Sequence, residues 1–305
     1  MKGEGVSRRE LMKAGAALAA SCGLTDCYAR VFAQGLERLA LGRLRVLWMQ
    51  AQTCAGCSIS LLNAHSPTFL EAIAERVHLV FHPTLSGVQG SQAMHRIEEA
   101  SRAPEPFVLV VEGAIPARMP EACRVAGRPV AERLRPLLDQ ARFVVAVGTC
   151  ASYGGIPSAE GNATGAVSVK EFLEQTGGVV RDRLVHCPGC PCHPDELLAT
   201  LAHLAARGYP AVRSGLLTPV MFSAGRVHDE CPRFSMHNLR VFATHFGDGE
   251  GCLFPLGCQG LDVQADCPRR QWNSHVNWCI QASAPCIGCN QPQFGKSRST
   301  PFYRT

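Results

Sequence analysis

Sixteen cysteines stand in this 305-residue sequence, and their spacing is where its chemistry begins. Cys54-Ala55-Gly56-Cys57 is a CxxC pair, Cys150 closes Val147-Gly148-Thr149-Cys150, and Cys190 sits in Pro188-Gly189-Cys190-Pro191. Thiolates are metal ligands, and four of them suit either tetrahedral zinc or an iron–sulfur cubane. Two further sets lie downstream. His228, Cys231, Cys252 and Cys258 offer one imidazole with three thiolates, while Cys267, Cys279, Cys286 and Cys289 offer four thiolates. A Cys3His set alone reads first as zinc; in iron–sulfur chemistry histidine replaces a thiolate and changes the potential. Three such sets in one chain favour a redox relay, because zinc does no redox work. Cys123, Cys187 and Cys192 have no assigned role, and spacing leaves open which of Cys187, Cys190 and Cys192 is a ligand.

Positioning these residues takes an α/β scaffold. Leu44–Met49, His78–His82, Phe107–Val111, Phe143–Val147 and Arg183–His186 are short, mostly apolar runs, as strands buried on both faces should be. Helical patterns separate or follow them at Ser60–Arg76, Ser91–Ala100, Pro129–Gln140, Val169–Thr176 and Asp195–Arg207. Strand alternating with helix predicts a flavodoxin-like parallel sheet over residues 44–207, with ligands bound beyond the carboxyl ends of its strands. Cys54, Cys57, Cys150 and Cys190 all follow strand ends, and Gly56, Gly148, Gly154 and Gly155 permit close backbone approach there. Residues 208–305 lack long periodic stretches, which predicts a loop-rich, cluster-binding second domain stapled by metal.

Composition bounds the rest. With 46% hydrophobic and 18% charged residues the chain is globular, and a net charge of +5 spread over its length argues no nucleic-acid surface. Ser7-Arg8-Arg9-Glu10-Leu11-Met12-Lys13 is a twin-arginine pattern followed by a weakly apolar stretch, Ala14 to Leu24. That stretch is shorter than the roughly 20 residues a membrane span needs. Residues 1–34 are therefore expected to be an export leader that takes no part in the fold reasoning, cleaved near Ala33, with Cys22 a faint lipid-attachment cue. No later apolar run suggests a transmembrane anchor, and Lys296 to Thr305 is polar and basic.

Taken in order, these motifs resemble the small subunit of nickel–iron hydrogenases across nearly the whole chain. The resemblance is carried by the leader, Cys54-Ala-Gly-Cys57-Ser58, Pro83-Thr84-Leu85, Val111-Glu112-Gly113-Ala114-Ile115-Pro116, Gly148-Thr149-Cys150-Ala151, Pro188-Gly189-Cys190-Pro191, His228-x-x-Cys231, Cys252-x5-Cys258, Cys267-Pro268 and Cys286-Ile-Gly-Cys289. It implies a proximal 4Fe–4S cluster on Cys54, Cys57, Cys150 and Cys190 and a distal one on His228, Cys231, Cys252 and Cys258. Cys267, Cys286 and Cys289 match the medial cluster. Many members hold a proline where this chain has Cys279, leaving three irons; a fourth thiolate predicts a third 4Fe–4S cluster, with 3Fe–4S the outcome if Cys279 is not a ligand. The family further implies a large-subunit partner with the nickel–iron centre, an external electron carrier such as a cytochrome c, and a periplasmic location. Thr53 departs from the acidic residue that many members carry before the first proximal cysteine. The run after Cys57 is similar to selenium-containing members.

Overall fold

The computed structural model describes residues 7–41, 43–72, 77–222 and 225–296. Five strands form one sheet: β1 (Arg45–Gln50), β2 (Leu79–Phe81), β3 (Phe107–Glu112), β4 (Phe143–Val147) and β5 (Leu184–Cys187). Every pairing is parallel and the order is β2-β1-β3-β4-β5, the flavodoxin-like arrangement expected. Register matters more than order for placing the cysteines. Gln50 pairs with Glu112, Glu112 with Val147, and Val147 with Cys187. Four strands thus end level, and the loops carrying Cys54, Cys150 and Cys190 leave from one edge.

The strands are runs such as Val-Val-Ala-Val, whose alternate side chains point to opposite faces. Leu47, Leu109, Val111 and Ala146 meet Ile97, Leu134, Leu138 and Phe172 from the helices Gly90–Arg102, Val130–Gln140 and Val169–Gln175. Trp48, Val108, Val110 and Val145 face Leu197, Leu201 and Leu204 of the helix Pro194–Arg207. The sheet is buried on both sides, as its composition requires.

The expected helix Ser60–Arg76 is broken. A short helix, Gly56–Ser60, and one 3-10 turn, Leu61–Asn63, give way at Ser66-Pro67, and Thr68 starts a fresh turn by capping Glu71. Proline has no N–H to return to a preceding turn and disfavours helical backbone in the residue before it. Ile73 and Ala74 lie outside the described residues.

A larger difference concerns the N-terminus. Instead of standing outside the fold, residues 8–40 form a helical hairpin, α1 (Arg8–Ser21) and α2 (Asp26–Ala40), packed on the helix Pro194–Arg207. Phe32, Leu36 and Leu39 are fully buried, with Leu198, Ala199 and Ala202 in the same or adjoining apolar clusters. Gly35 lies so close to the Ala202 backbone that a side chain there would collide with it. Arg38 donates to the carbonyls of Ala205 (3.0 Å) and Ala206 (3.1 Å), closing the C-terminal end of the neighbouring helix. Ala33, the expected cleavage point, is buried in mid-helix. Residues 1–6 lie outside the described residues.

Residues 225–296 contain only short helices, notably Phe234–Asn238 and Cys267–Arg270, with turns and isolated bridges between them. Their apolar cluster consists of Val227, Ala243, Leu253, Val263, Trp278 and Ile280. The basic tail beyond Lys296 is outside the described residues. Among the described residues no helix is long and apolar enough to cross a membrane.

Candidate cluster-binding sites

The first thiol set is hung from the ends of β1 and β3 by a buried carboxylate. Glu112 accepts from Trp48 Nε1 (3.1 Å), Gln50 Nε2 (3.1 Å), Ser58 Oγ (2.5 Å) and Thr53 Oγ1 (3.1 Å), and from the backbone N–H groups of Cys57 (3.1 Å) and Ser58 (3.3 Å). Six donors satisfy a charge that burial would otherwise make costly. Behind Ser58, His82 Nδ1 accepts from the N–H groups of Thr84 (3.0 Å) and Leu85 (3.3 Å). That assigns the proton to Nε2, which donates to Ser58 Oγ at 3.1 Å, and the Ser58 hydroxyl donates in turn to Glu112. Burial pushes His82 down to about 4, keeping it neutral. In the sequence the only sign of Glu112's role is a carboxylate ending an otherwise apolar strand.

Around the sulfurs the backbone comes close. A Cβ on Gly56 would stand 3.1 Å from Cys54 Sγ, and one on Gly148, whose φ is +79°, 2.5 Å from Cys57 Sγ. Gly155, with φ +51°, would bring a Cβ to 3.0 Å from Cys150 Sγ. Backbone N–H groups of Gly56 and Cys192 donate to Cys54 and Cys57, each at 3.4 Å. Burial, with neighbouring thiols including Cys54 adding to it, pushes Cys150 and Cys190 up to about 11. Sulfur atoms so gathered repel one another as thiolates until a cation joins them.

His228, Cys231, Cys252 and Cys258 line one cavity together with Leu253, Phe254 and Gly260. Arg233 N–H donates to Cys231 Sγ at 3.3 Å, and the N–H groups of Gly260 and Cys286 act on Cys258. The Arg233 guanidinium ties this loop down through the carbonyls of Gly251 (2.8 Å) and Asp248 (3.1 Å) and Ser283 Oγ (2.9 Å). His228 sits edge-on to His237 at 4.7 Å and against Phe234 at 5.1 Å.

Cys267, Cys279, Cys286 and Cys289 line a third space, a cavity of about 630 Å³ that also reaches Cys190. Burial pushes Cys289 up to about 12, with the Cys190 N–H acting against that shift and Cys279 and Cys190 adding to it. Burial likewise raises Cys267 and Cys286. Trp272 and Asn273 line the same cavity, the Trp272 ring packing at a tilt against His193 with centroids 4.7 Å apart.

All twelve expected ligands thus fall into three thiol-rich sets. Cys187 and Cys192 are buried in the core beside the sheet, hydrogen-bonded to Thr200 Oγ1 (3.4 Å) and the His193 carbonyl (3.5 Å), which leaves Cys190 on the cavity wall. Cys123 packs against the opposite apolar cluster. Among the described residues all cysteines are unpaired, and no three His, Cys, Asp or Glu side chains converge as they would around a single metal ion. Thiols gathered in sets of three or four, supplied with backbone N–H bonds and cleared by glycines, are donors of the kind that an iron–sulfur cluster takes.

Fold and thiol sets together define an α/β chain with cysteines gathered at the sheet edge and around two cavities beyond it. Residues 54–204 match the family described as NADH ubiquinone oxidoreductase, 20 Kd subunit, and residues 224–303 the C-terminal family of the NiFe/NiFeSe hydrogenase small subunit. The chain is 36% identical to the periplasmic NiFeSe hydrogenase small subunit of Desulfomicrobium baculatum, over 98% of each sequence. It is also 36% identical to the hydrogenase-2 small chain of Escherichia coli, over 95% of this chain and 78% of that one. The solved recombinant NiFeSe hydrogenase of Desulfovibrio vulgaris Hildenborough aligns with a TM-score of 0.79 at 35% identity, covering 86% of this chain and 97% of that chain. The chain belongs to the family of nickel–iron and nickel–iron–selenium hydrogenase small subunits.

Proposed function

We propose that this chain is the electron-relay subunit of an exported hydrogenase, holding three 4Fe–4S clusters beside a large subunit with the nickel–iron centre. The proximal cluster would be held by Cys54, Cys57, Cys150 and Cys190, the medial by Cys267, Cys279, Cys286 and Cys289, and the distal by His228, Cys231, Cys252 and Cys258. Bound there, the clusters supply one-electron storage at potentials set by ligand type, hydrogen bonds to sulfur and burial. The observation that carries the reading is the adjacency of the three sets. Cys190, from the first set, lines one cavity with all four residues of the third, and Gln259, next to Cys258 of the second, donates its N–H to the Cys286 carbonyl of the third at 2.7 Å. That adjacency supports a linear relay with the third set in the middle.

The protein's own part is to hold and shield. Glu112 fixes the CxxC loop to the sheet edge, backbone N–H groups stabilise charge on sulfur, and burial of Cys267, Cys286 and Cys289 shields most of the middle set. No general acid or base is required of this chain, because hydrogen cleavage belongs to the partner subunit. His228 supports a distal exit towards an electron carrier such as a cytochrome c: a neutral ligand leaves its cluster less negative, and the ring lies near exposed Phe254. Arg8 and Arg9 are exposed at the start of α1, as a twin-arginine leader for periplasmic export requires.

Elemental analysis of the purified complex tests the relay. About twelve iron and twelve acid-labile sulfide per small subunit are expected for three cubanes, whereas zinc without sulfide would overturn it. Replacing both Arg8 and Arg9 by lysine should leave the enzyme in the cytoplasm, since the guanidinium pair and not charge alone is read.

A further inference from the structure

Thr149 is a buried threonine that none of the three ligand sets includes. Its hydroxyl oxygen accepts the Gly189 N–H at 2.9 Å and its O–H donates to the Cys289 carbonyl. Its own N–H donates to the Gly189 carbonyl, also at 2.9 Å. Thr149 immediately precedes Cys150, and Gly189 immediately precedes Cys190. One residue is thus bonded to the loops of two proximal ligands and to the backbone of a medial one. Cys190 and Cys289 line one cavity, and this hydroxyl joins the residue before one to the carbonyl of the other.

We infer that Thr149 is a positioning residue that fixes the contact between the proximal and medial ligand sets and thereby sets electronic communication between their clusters. The inference rests on the cluster reading above. A hydroxyl is the group needed, because it accepts and donates at once. Valine has nearly the same shape and does neither, leaving the Gly189 N–H and the Cys289 carbonyl buried without these partners. Serine keeps both bonds.

The test compares Thr149→Val and Thr149→Ser in the full complex with the partner subunit. In Thr149→Val, hydrogen-driven dye reduction is expected to fall clearly below the wild-type rate, because both hydroxyl bonds across the contact are lost. Hydrogen/deuterium exchange, which needs only the partner's centre, should persist. The electron paramagnetic resonance splitting between reduced proximal and medial clusters should weaken at unchanged iron content. Thr149→Ser should restore both splitting and rate. Wild-type splitting and turnover in Thr149→Val would overturn the inference, and so would iron loss from both variants, which would make Thr149 a support of the fold alone. Absence of iron–sulfur signals from the wild type would instead defeat the relay reading.

Discussion

The sheet domain and the region after residue 225 gather thiols by opposite means. In the first, five strands in parallel register form the sheet, two apolar clusters pack on either face, and the ligand loops leave a platform that exists without them. In the second, six buried side chains form the apolar cluster and helices run for four or five residues, so the loops lean on one another, on Arg233, and on contacts with the sheet domain such as Arg270 with Glu196. A platform can be built first and loaded afterwards, whereas loops of this kind take their shape from what they bind. The same ligand chemistry is thus an addition to one region and a condition of the other.

Removing iron should separate the two most sharply. On chelation, hydrogen exchange and limited proteolysis are expected to open residues 225–296 while the strands stay protected, because structural metal sites supply on the order of 10 kcal/mol of folding energy. Simultaneous loss of both regions would break the contrast. A second measurement addresses the platform by pH. His82 is held down to about 4 by burial, below its ordinary 6.5. The unfolded chain then takes up a proton between those values that the folded chain refuses, so stability is lost as pH falls from about 6.5 to about 4, by about 3 kcal/mol at most. His82→Gln should flatten that slope in denaturant titrations, and an unchanged slope would assign it to other groups.

Glu112→Gln probes the join between platform and ligands. An amide accepts at one oxygen only, so donors among Trp48, Gln50, Thr53, Cys57 and Ser58 lose a partner, at a cost of about 1–3 kcal/mol. The proximal resonance should shift while the distal one stays; equal shifts in both would show that the regions are not independent. The smallest effect on stability is expected from Cys279→Pro. Cys279 is exposed, and its replacement should convert the medial cluster to three irons, seen as an oxidised-state resonance absent from the native enzyme. That resonance in the native enzyme would remove Cys279 from the ligand set.

Legibility in the sequence follows the same division. Strands β1 to β5 can be read to within a residue or so at most of their ends, because apolar runs of that length, bounded by loops, have few other uses. The ligand sets are legible through spacing, since the chain cannot hide a CxxC or Cys252-x5-Cys258. The break at Pro67 is visible as a residue but outweighed by the apolar pattern around it. Glu112 and Thr149 are not legible as organisers, because hydrogen bonding across distant loops leaves no local mark. The hairpin escapes for another reason: Ala14 to Leu24 has the texture of a leader, and that texture masks the stripe Phe32, Leu36, Leu39, whose spacing is that of a packed helix.

If the proposed leader is removed, that hairpin would make precursor and processed protein two different solutes. With α1 and α2 in place, the helix Pro194–Arg207 is sheathed, and Leu198, Ala199 and Ala202 meet Phe32 and Leu36 rather than water. Removal of the proposed leader would take away α1 and the first part of α2, turning that strip of helix into surface on a chain that already exposes Leu62 and Leu70. On that proposal the precursor would be the more soluble form, and the apolar strip would appear only after cleavage.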